Sequence, residues 1–262
     1  MTDNHAELLE SYKAIASILE KHRITFYGMY GTTIGAIRHN GFIPWDDDLD
    51  IAINSCDLDR VNEVLSAELD AKKYYYHSPS ADTHPHVIIK TSDFDLALKE
   101  RRLPFIDIFV LISHPDSIIR RALSYPFVGF ELLSNKIIDR TESRGVKEIF
   151  YKVMALSRKF IRFYSKPNSK KVCARGVYVS MNAWDRSIFR EPVMHAFEDT
   201  EIPLPTDYEK FLKEYYGDYM TPPPEDKRGG ATGYPYGLID DYNEDMKGGQ
   251  KHHRLTTADL PL

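Results

Sequence analysis

The chain has 262 residues, a net charge of −5, 42% hydrophobic and 28% charged side chains, the balance of a globular protein with room for one large domain or two small ones. So mild an acidity argues against a nucleic-acid partner for the chain as a whole. Cys56 and Cys173 lie far apart, which excludes a disulfide framework and cysteine-based zinc spacing and fits a reducing, cytoplasmic setting.

In chain order, the opening MTDNHAELLE lacks the basic-then-apolar pattern of a signal peptide, and no later run reaches the length of an uncharged membrane span. Leu8, Leu9, Tyr12, Ile15, Ile18 and Leu19 recur at helical spacing and predict an amphipathic helix over 6–21. Residues 24–29 form a short apolar and aromatic run, expected as a strand. A glycine-flanked helix is expected over 31–38, followed by the turn His39-Asn40-Gly41. Residues 48–53 alternate acidic and apolar side chains, the period of a strand. A helix with Val61, Val64, Leu65 and Leu69 inward is predicted over 57–69, and strands over 86–91 and 105–112.

Residues 116–175 become basic, through Lys147, Lys152, Arg158, Lys159, Arg162, Lys166, Lys170 and Lys171, and are expected to be helical with a loop at Pro167-Asn168-Ser169. Such a run is usually a solvated helical face; the alternative is contact with an anionic membrane or a lipid-linked acceptor. One more helix is expected over 207–216, begun by Pro205, capped by Thr206 and ended at Gly217, and the tail from Pro222 is expected as loop. The fold class expected is α/β (α+β): a mixed sheet core flanked by helices in residues 1–115. A mainly helical part in 116–262 is expected to complete the same catalytic unit.

The most informative stretch is Pro44-Trp45-Asp46-Asp47-Asp48-Leu49-Asp50-Ile51. Residues two apart on a strand share a face, so Asp48 and Asp50 should project together while Leu49 and Ile51 enter the core. Adjacent carboxylates repel unless a cation lies between them, and Mg²⁺ or Mn²⁺ with substrate phosphates is the natural occupant. Asp107, a lone acid within Phe105-Ile106-Asp107-Ile108-Phe109, is expected as the third carboxylate, because burying it unpaired is costly. An EF-hand fails, with Ile51 where glycine is needed and Asp57 where glutamate is. A glycosyltransferase Asp-x-Asp pair normally follows a longer nucleotide-binding half.

Upstream, Gly28-Met29-Tyr30-Gly31-Thr32-Thr33-Ile34-Gly35 lies where a strand becomes a helix. Glycine there lets a ligand approach the backbone, and the first N–H groups of a helix favour phosphate. Gly31, Thr32 and Thr33 are therefore substrate-binding candidates. Arg38, His39 and Lys90 are further candidates for offsetting phosphate charge; the plainer role for Arg38 is a cation at a helix C-terminus. His84, His86, His252 and His253 lack the cysteine partners of a zinc site.

The run Gly31-Thr32-Thr33-Ile34-Gly35-Ala36-Ile37-Arg38-His39, continued by Gly41-Phe42-Ile43-Pro44-Trp45-Asp46-Asp47-Asp48-Leu49-Asp50-Ile51, resembles the LicD family, which includes the fukutin-related proteins. Phe105-Ile106-Asp107-Ile108-Phe109 resembles its second acidic strand. Tyr216-Gly217-Asp218-Tyr219-Met220, with Pro222-Pro223-Pro224 and Arg228, resembles its C-terminal block. The resemblance implies a nucleotidyltransferase-like fold and transfer of a phosphorylated alcohol, such as phosphocholine or a polyol phosphate, from a CDP-activated donor to a cell-surface or lipid-linked glycan. It implies metal roles for Asp48 and Asp50, with Asp46 assisting and Asp107 as third ligand. The location expected from the cysteines and the basic segment is the cytoplasm, with the inner face of the membrane as a place of contact. Two alternatives stand beside the implied transfer: NMP transfer with pyrophosphate release, and a catalytically silent scaffold of glycan assembly. The chain departs from the family pattern after Arg228, at residues 229–237 and His252-His253.

Overall fold

The computed structural model describes residues 3–79, 84–100, 103–141, 143–166, 168–174, 183–229, 235, 237–246 and 254–260. His252 and His253 lie outside them. The elements run α1 (Asp3–Lys21), β1 (Phe26–Gly28), α2 (Tyr30–His39), β2 (Leu49–Asn54), α3 (Leu58–Glu68), β3 (Tyr74–His77), β4 (His86–Ile89), α4 (Phe94–Glu100), β5 (Phe105–His114), α5 (Ile118–Arg140), α6 (Arg144–Tyr164), β6 (Lys171–Ala174), β7 (Trp184–Asp185), β8 (Val193–Phe197), β9 (Thr200–Leu204), α7 (Tyr208–Tyr216) and α8 (Leu238–Met246). This is a mixed α/β fold.

The central sheet runs β1-β2-β5-β4-β3, and the far half of β5 carries β6, which carries β7. β2 and β5 are parallel, whereas β1–β2, β3–β4, β4–β5, β5–β6 and β6–β7 are antiparallel. The period-2 rule sorts the side chains onto two faces. Leu49, Ile51 and Ile53 of β2 and Ile106, Ile108 and Val110 of β5 point to one face and join Leu8, Tyr12, Ile15 and Leu19 of α1 and Val61 and Leu65 of α3 in the main core.

The opposite face is covered in two separate patches. One brings Tyr30 and Ile34 of α2, Ala52, Leu111, Trp184 and Phe211 and Leu212 of α7 together. The other packs Tyr75 of β3, Ile88 of β4, Ala97 and Leu98 of α4 and Leu238 of α8. Between them the sheet carries a polar row, set by register: Asp50 opposite Asp107, Asp107 opposite His86, His86 opposite His77.

The part beyond 116 is mainly helical, as expected, through α5, α6, α7 and α8, and it also supplies β6 and β7 to the central sheet and the β8–β9 hairpin. Two expectations are corrected. The tail is not all loop, since α8 follows Gly237 and anchors on β3, with His77 Nε2 2.8 Å from Asp241 Oδ2 and the Tyr75 hydroxyl donating to Asp245 Oδ2 at 2.9 Å. The α7 cap is Asp207 in place of Thr206: its carboxylate accepts from the Lys210 N–H, while the Thr206 hydroxyl donates to the Glu191 carbonyl.

Candidate active site

The acidic strand is positioned by α2. Its N-cap, Met29, donates its N–H to the Asp50 carbonyl at 3.0 Å, and the Asp50 N–H is accepted by the Thr32 hydroxyl at 2.8 Å. The Thr33 hydroxyl donates to the Gly28 carbonyl at 2.8 Å. The two threonines thus lock the first turn of α2 onto β1 and β2. Gly31 is required here on steric grounds: a Cβ at this position would lie 2.6 Å from Asp46 Oδ2. The Asp46 carboxylate therefore sits against the opening turn of the helix, where the macrodipole favours negative charge. At the other end, a Cβ on Gly35 would meet the Gly41 carbonyl at 2.4 Å, so α2 and the following turn touch backbone to backbone.

The carboxylates fall into two neighbouring groups. Asp46, Asp47 and Asp48 bring an oxygen each within 4.8 Å of one another, and Asp50 and Asp107 are direct neighbours across β2 and β5. Burial, then Asp46 and Asp107, push the Asp48 carboxyl up to about 8. Burial, then Asp48, Asp107 and Asp46, push Asp50 well above its ordinary value. Every cause acting on these two raises them, so the site holds negative charge that a cation would relieve. The all-oxygen donor set suits a hard divalent ion such as Mg²⁺ or Mn²⁺.

Asp107 differs from its expected role as a lone acid. Its Oδ1 lies 2.6 Å from His86 Nδ1 and 3.2 Å from His84 Nε2. Burial alone would raise it, but the two imidazoles together outweigh burial and hold the carboxyl below the usual range. The ligand atoms of His84, His86 and Asp107 also cluster within 4.8 Å.

The other predicted residues separate. The Arg38 Nε donates to His39 Nε2 at 3.0 Å and its Nη1 to the Tyr219 carbonyl at 2.6 Å. Arg38 and Arg228 both lie over the Trp45 ring, at 5.9 and 4.3 Å, and His39 meets that ring edge-on. The two guanidiniums thus flank Trp45, the residue before Asp46. Lys90 is not brought to it. The Lys90 ammonium donates to the Ala71 carbonyl at 2.8 Å and lies over Phe94 and Tyr242, four residues along β4 from His86, roughly 13 Å at strand rise.

Sequence reasoning did not assign Arg228 to the site, and it missed four further contributors. Tyr30, with φ of 43°, Tyr215 and Tyr216 form an aromatic wall beside Asp50, whose charge together with burial raises all three phenols. The Tyr30 hydroxyl is buried without a hydrogen-bond partner. Glu198, between β8 and β9, receives the Phe42 N–H at 3.0 Å and fixes the turn that leads into Trp45. Among these, Arg228 and Tyr216 had a signal, since both lie in the C-terminal block already singled out.

Residues 23–132 match the family model described as LicD/FKTN/FKRP, nucleotidyltransferase domain. The chain is 26% identical over 248 residues to the lipopolysaccharide cholinephosphotransferase LicD of Haemophilus influenzae, covering 80% of this chain and 87% of that protein. Uncharacterized proteins of Rickettsia prowazekii and Rickettsia typhi are each 40% identical over 58 residues, 22% of this chain and 22% and 19% of theirs. The matched segment contains α2, the Asp46–Asp50 run and Asp107, so the likeness to the LicD family rests on the part of the chain that holds the carboxylates.

Proposed function

We propose that this protein is a metal-dependent transferase that moves a phosphorylated alcohol, phosphocholine or a polyol phosphate, from a CDP-activated donor onto a cell-surface or lipid-linked glycan. The observation that carries the proposal is the set of buried and half-buried carboxyls Asp50, Asp48 and Asp107 within a segment that matches the LicD family model. The Haemophilus influenzae relative named for cholinephosphotransfer to lipopolysaccharide supports phosphocholine as the first alcohol to test. A nucleotidyltransferase-like fold for residues 1–115 belongs to the same proposal.

Asp46, Asp48, Asp50 and Asp107 would hold Mg²⁺ or Mn²⁺, which when bound neutralises the diphosphate of the donor. The N–H groups of Gly31 and Thr32, in the first turn of α2, would suit a phosphate oxygen. Arg38 and Arg228, stacked with Trp45, bring positive charge to the residue before Asp46. In the reaction the acceptor hydroxyl oxygen bonds to the phosphorus that carries the alcohol. The bridging P–O bond breaks, and CMP leaves with its electron pair. Asp107, in contact with His84 and His86, is the residue proposed to receive the hydroxyl proton, with His86 Nδ1 2.6 Å from its Oδ1 to relay it onward. Positioning and charge cancellation account for most of the acceleration in such displacements.

Incubation with a panel of CDP-alcohols, Mg²⁺ and a glycan acceptor tests the proposal. Release of CMP with phosphoalcohol on the glycan is the expected result. Pyrophosphate release from a nucleoside triphosphate, with no turnover of any CDP-alcohol, would assign the site to NMP transfer instead.

A further inference from the structure

The helical hairpin formed by α5 and α6 leaves a broad apolar surface uncovered. Ten of the sixteen large hydrophobic side chains exposed among the described residues lie on these two helices. On α5, Ile119, Leu123, Phe130 and Leu133 follow one another at steps of four, seven and three residues, which keeps them on one stripe. On α6, Ile149, Leu156 and Phe163 are spaced by sevens, and Phe160 joins them. Phe163 is 75% exposed and Phe130 52%. The opposite sides of the helices are accounted for, since Val128 and Ile161 enter the main core and Arg158 is buried between Glu131 and Asp259. Phe127 of α5 stacks on Phe160 of α6 at 4.5 Å, tying the exposed stripe of α6 to the neighbouring helix.

The charge around this surface is predominantly positive. Residues 118–171 hold thirteen lysines and arginines against four acids, in a chain whose net charge is −5. Lys152 and Lys159, both exposed, each follow a member of the α6 stripe by three residues and border it along its length. Lys136, Arg140, Arg144 and Arg162 are exposed on the same two helices. An apolar stripe edged by lysines is the pattern of a helix lying in the plane of a lipid surface, aromatic and aliphatic groups among the acyl chains and ammonium groups among the headgroups. No helix of the described residues is long and apolar enough to cross a membrane, so the hairpin would lie flat on it. A second copy of the chain is a poor occupant, because two faces of the same positive sign would oppose each other.

We propose that the α5–α6 hairpin is a docking surface for an anionic lipid bilayer, held by Leu156, Phe160 and Phe163 on α6, by Ile119, Leu123 and Phe130 on α5, and by the flanking lysines. The inference stands on this surface alone and is independent of the transfer reaction.

The test is flotation of the purified full-length protein with vesicles of phosphatidylglycerol and phosphatidylcholine, against vesicles of phosphatidylcholine alone, at low and high salt. Two variants accompany it, Leu156→Ser/Phe163→Ser and Lys152→Glu/Lys159→Glu, each checked for an unchanged melting temperature. Wild type should float with anionic vesicles, bind neutral ones at least about tenfold more weakly, and lose affinity as salt rises. Each variant should bind anionic vesicles about tenfold or more weakly than wild type. Failure of wild type to float with anionic vesicles, or equal binding by both folded variants, overturns the proposal. So does sedimentation showing a dimer that Leu156→Ser/Phe163→Ser dissociates, which would assign the surface to self-association.

Discussion

Asp50 of β2 and Asp107 of β5 stand directly opposite one another across a parallel strand pair, yet their carboxyls are driven in opposite directions. Asp50 is surrounded by burial and like charge and is raised. Asp107 is just as enclosed but is held ionised by His84 and His86. Neighbouring groups whose environments separate their proton affinities are the arrangement from which acid and base roles are made. One carboxyl waits for a cation, and the other already has positive partners.

Asp48→Asn and Asp50→Asn keep side-chain size and remove charge from this cluster. Both should lower CMP release at least about a hundredfold, in line with the loss of a preorganised electrostatic contact. Both should also raise the melting temperature in EDTA above about pH 8, where the native carboxyl would otherwise have to ionise in the cluster. Near-normal turnover of either variant at saturating Mg²⁺ would remove these residues from the metal site.

The contact between His86 and Asp107 should orient the carboxylate toward its metal. His86→Ala is expected to weaken Mn²⁺ binding by about 10- to 100-fold, the usual effect of losing a partner that orients a metal ligand. Titration followed by electron paramagnetic resonance measures it, and unchanged affinity would leave the contact a structural one. Asp107→Ala should lower the melting temperature in EDTA, since it strips the carboxylate from two enclosed imidazoles.

The metal-free protein should lose stability as pH rises. The Asp48 carboxyl has an ordinary value of 3.8 and is pushed up to about 8 in the fold. A raised carboxyl binds its proton more tightly when folded, so its contribution is complete below about 4 and is lost as pH climbs through about 8. Asp50 acts in the same direction. Melting temperature in EDTA should therefore fall between pH 5 and 8, roughly, and saturating Mg²⁺ should flatten that slope. A rise over the same range without metal would contradict the charge assignment.

Gly31→Ala tests the closeness of α2 to the acidic loop. The new methyl would meet Asp46 Oδ2 at 2.6 Å and must displace that carboxylate. Affinity for metal and for CDP should fall together, with a change in stability of about 1–3 kcal/mol, the usual scale of overpacking. Unaltered affinities would mean that Asp46 can move away without consequence for the site.

Much of this site could be read from the amino acids. Asp48, Leu49, Asp50 and Ile51 alternate, and that period alone sends the aspartates to one face and Leu49 and Ile51 to the core. The helical spacing of α1 and the Asp207-to-Gly217 frame of α7 were equally plain. What stayed hidden was non-local or without period. β3 is Tyr74-Tyr75-Tyr76-His77, buried on both faces, so nothing in it alternates. β6 opens on Lys171 at the end of a basic run and becomes a strand because the far half of β5 offers it an edge. His84 and His86 suggested zinc or nothing, because their partner is Asp107, placed beside them by a strand register that sequence spacing does not reveal.

The most direct test of the account is calorimetric titration of CDP with and without Mg²⁺. Without metal the raised carboxyls of Asp46, Asp48 and Asp50 offer a diphosphate no positive partner, and a divalent ion ionises them and bridges them to phosphate. Nucleotide and metal should each bind weakly alone and strengthen one another equally, by about 1–3 kcal/mol. Affinity for CDP should accordingly rise by about 5- to 150-fold when Mg²⁺ is present, and the increase should vanish in Asp50→Asn. Equal affinity for CDP in EDTA and in Mg²⁺ would show that the nucleotide is not held through the carboxylates, and the proposed mechanism would be wrong.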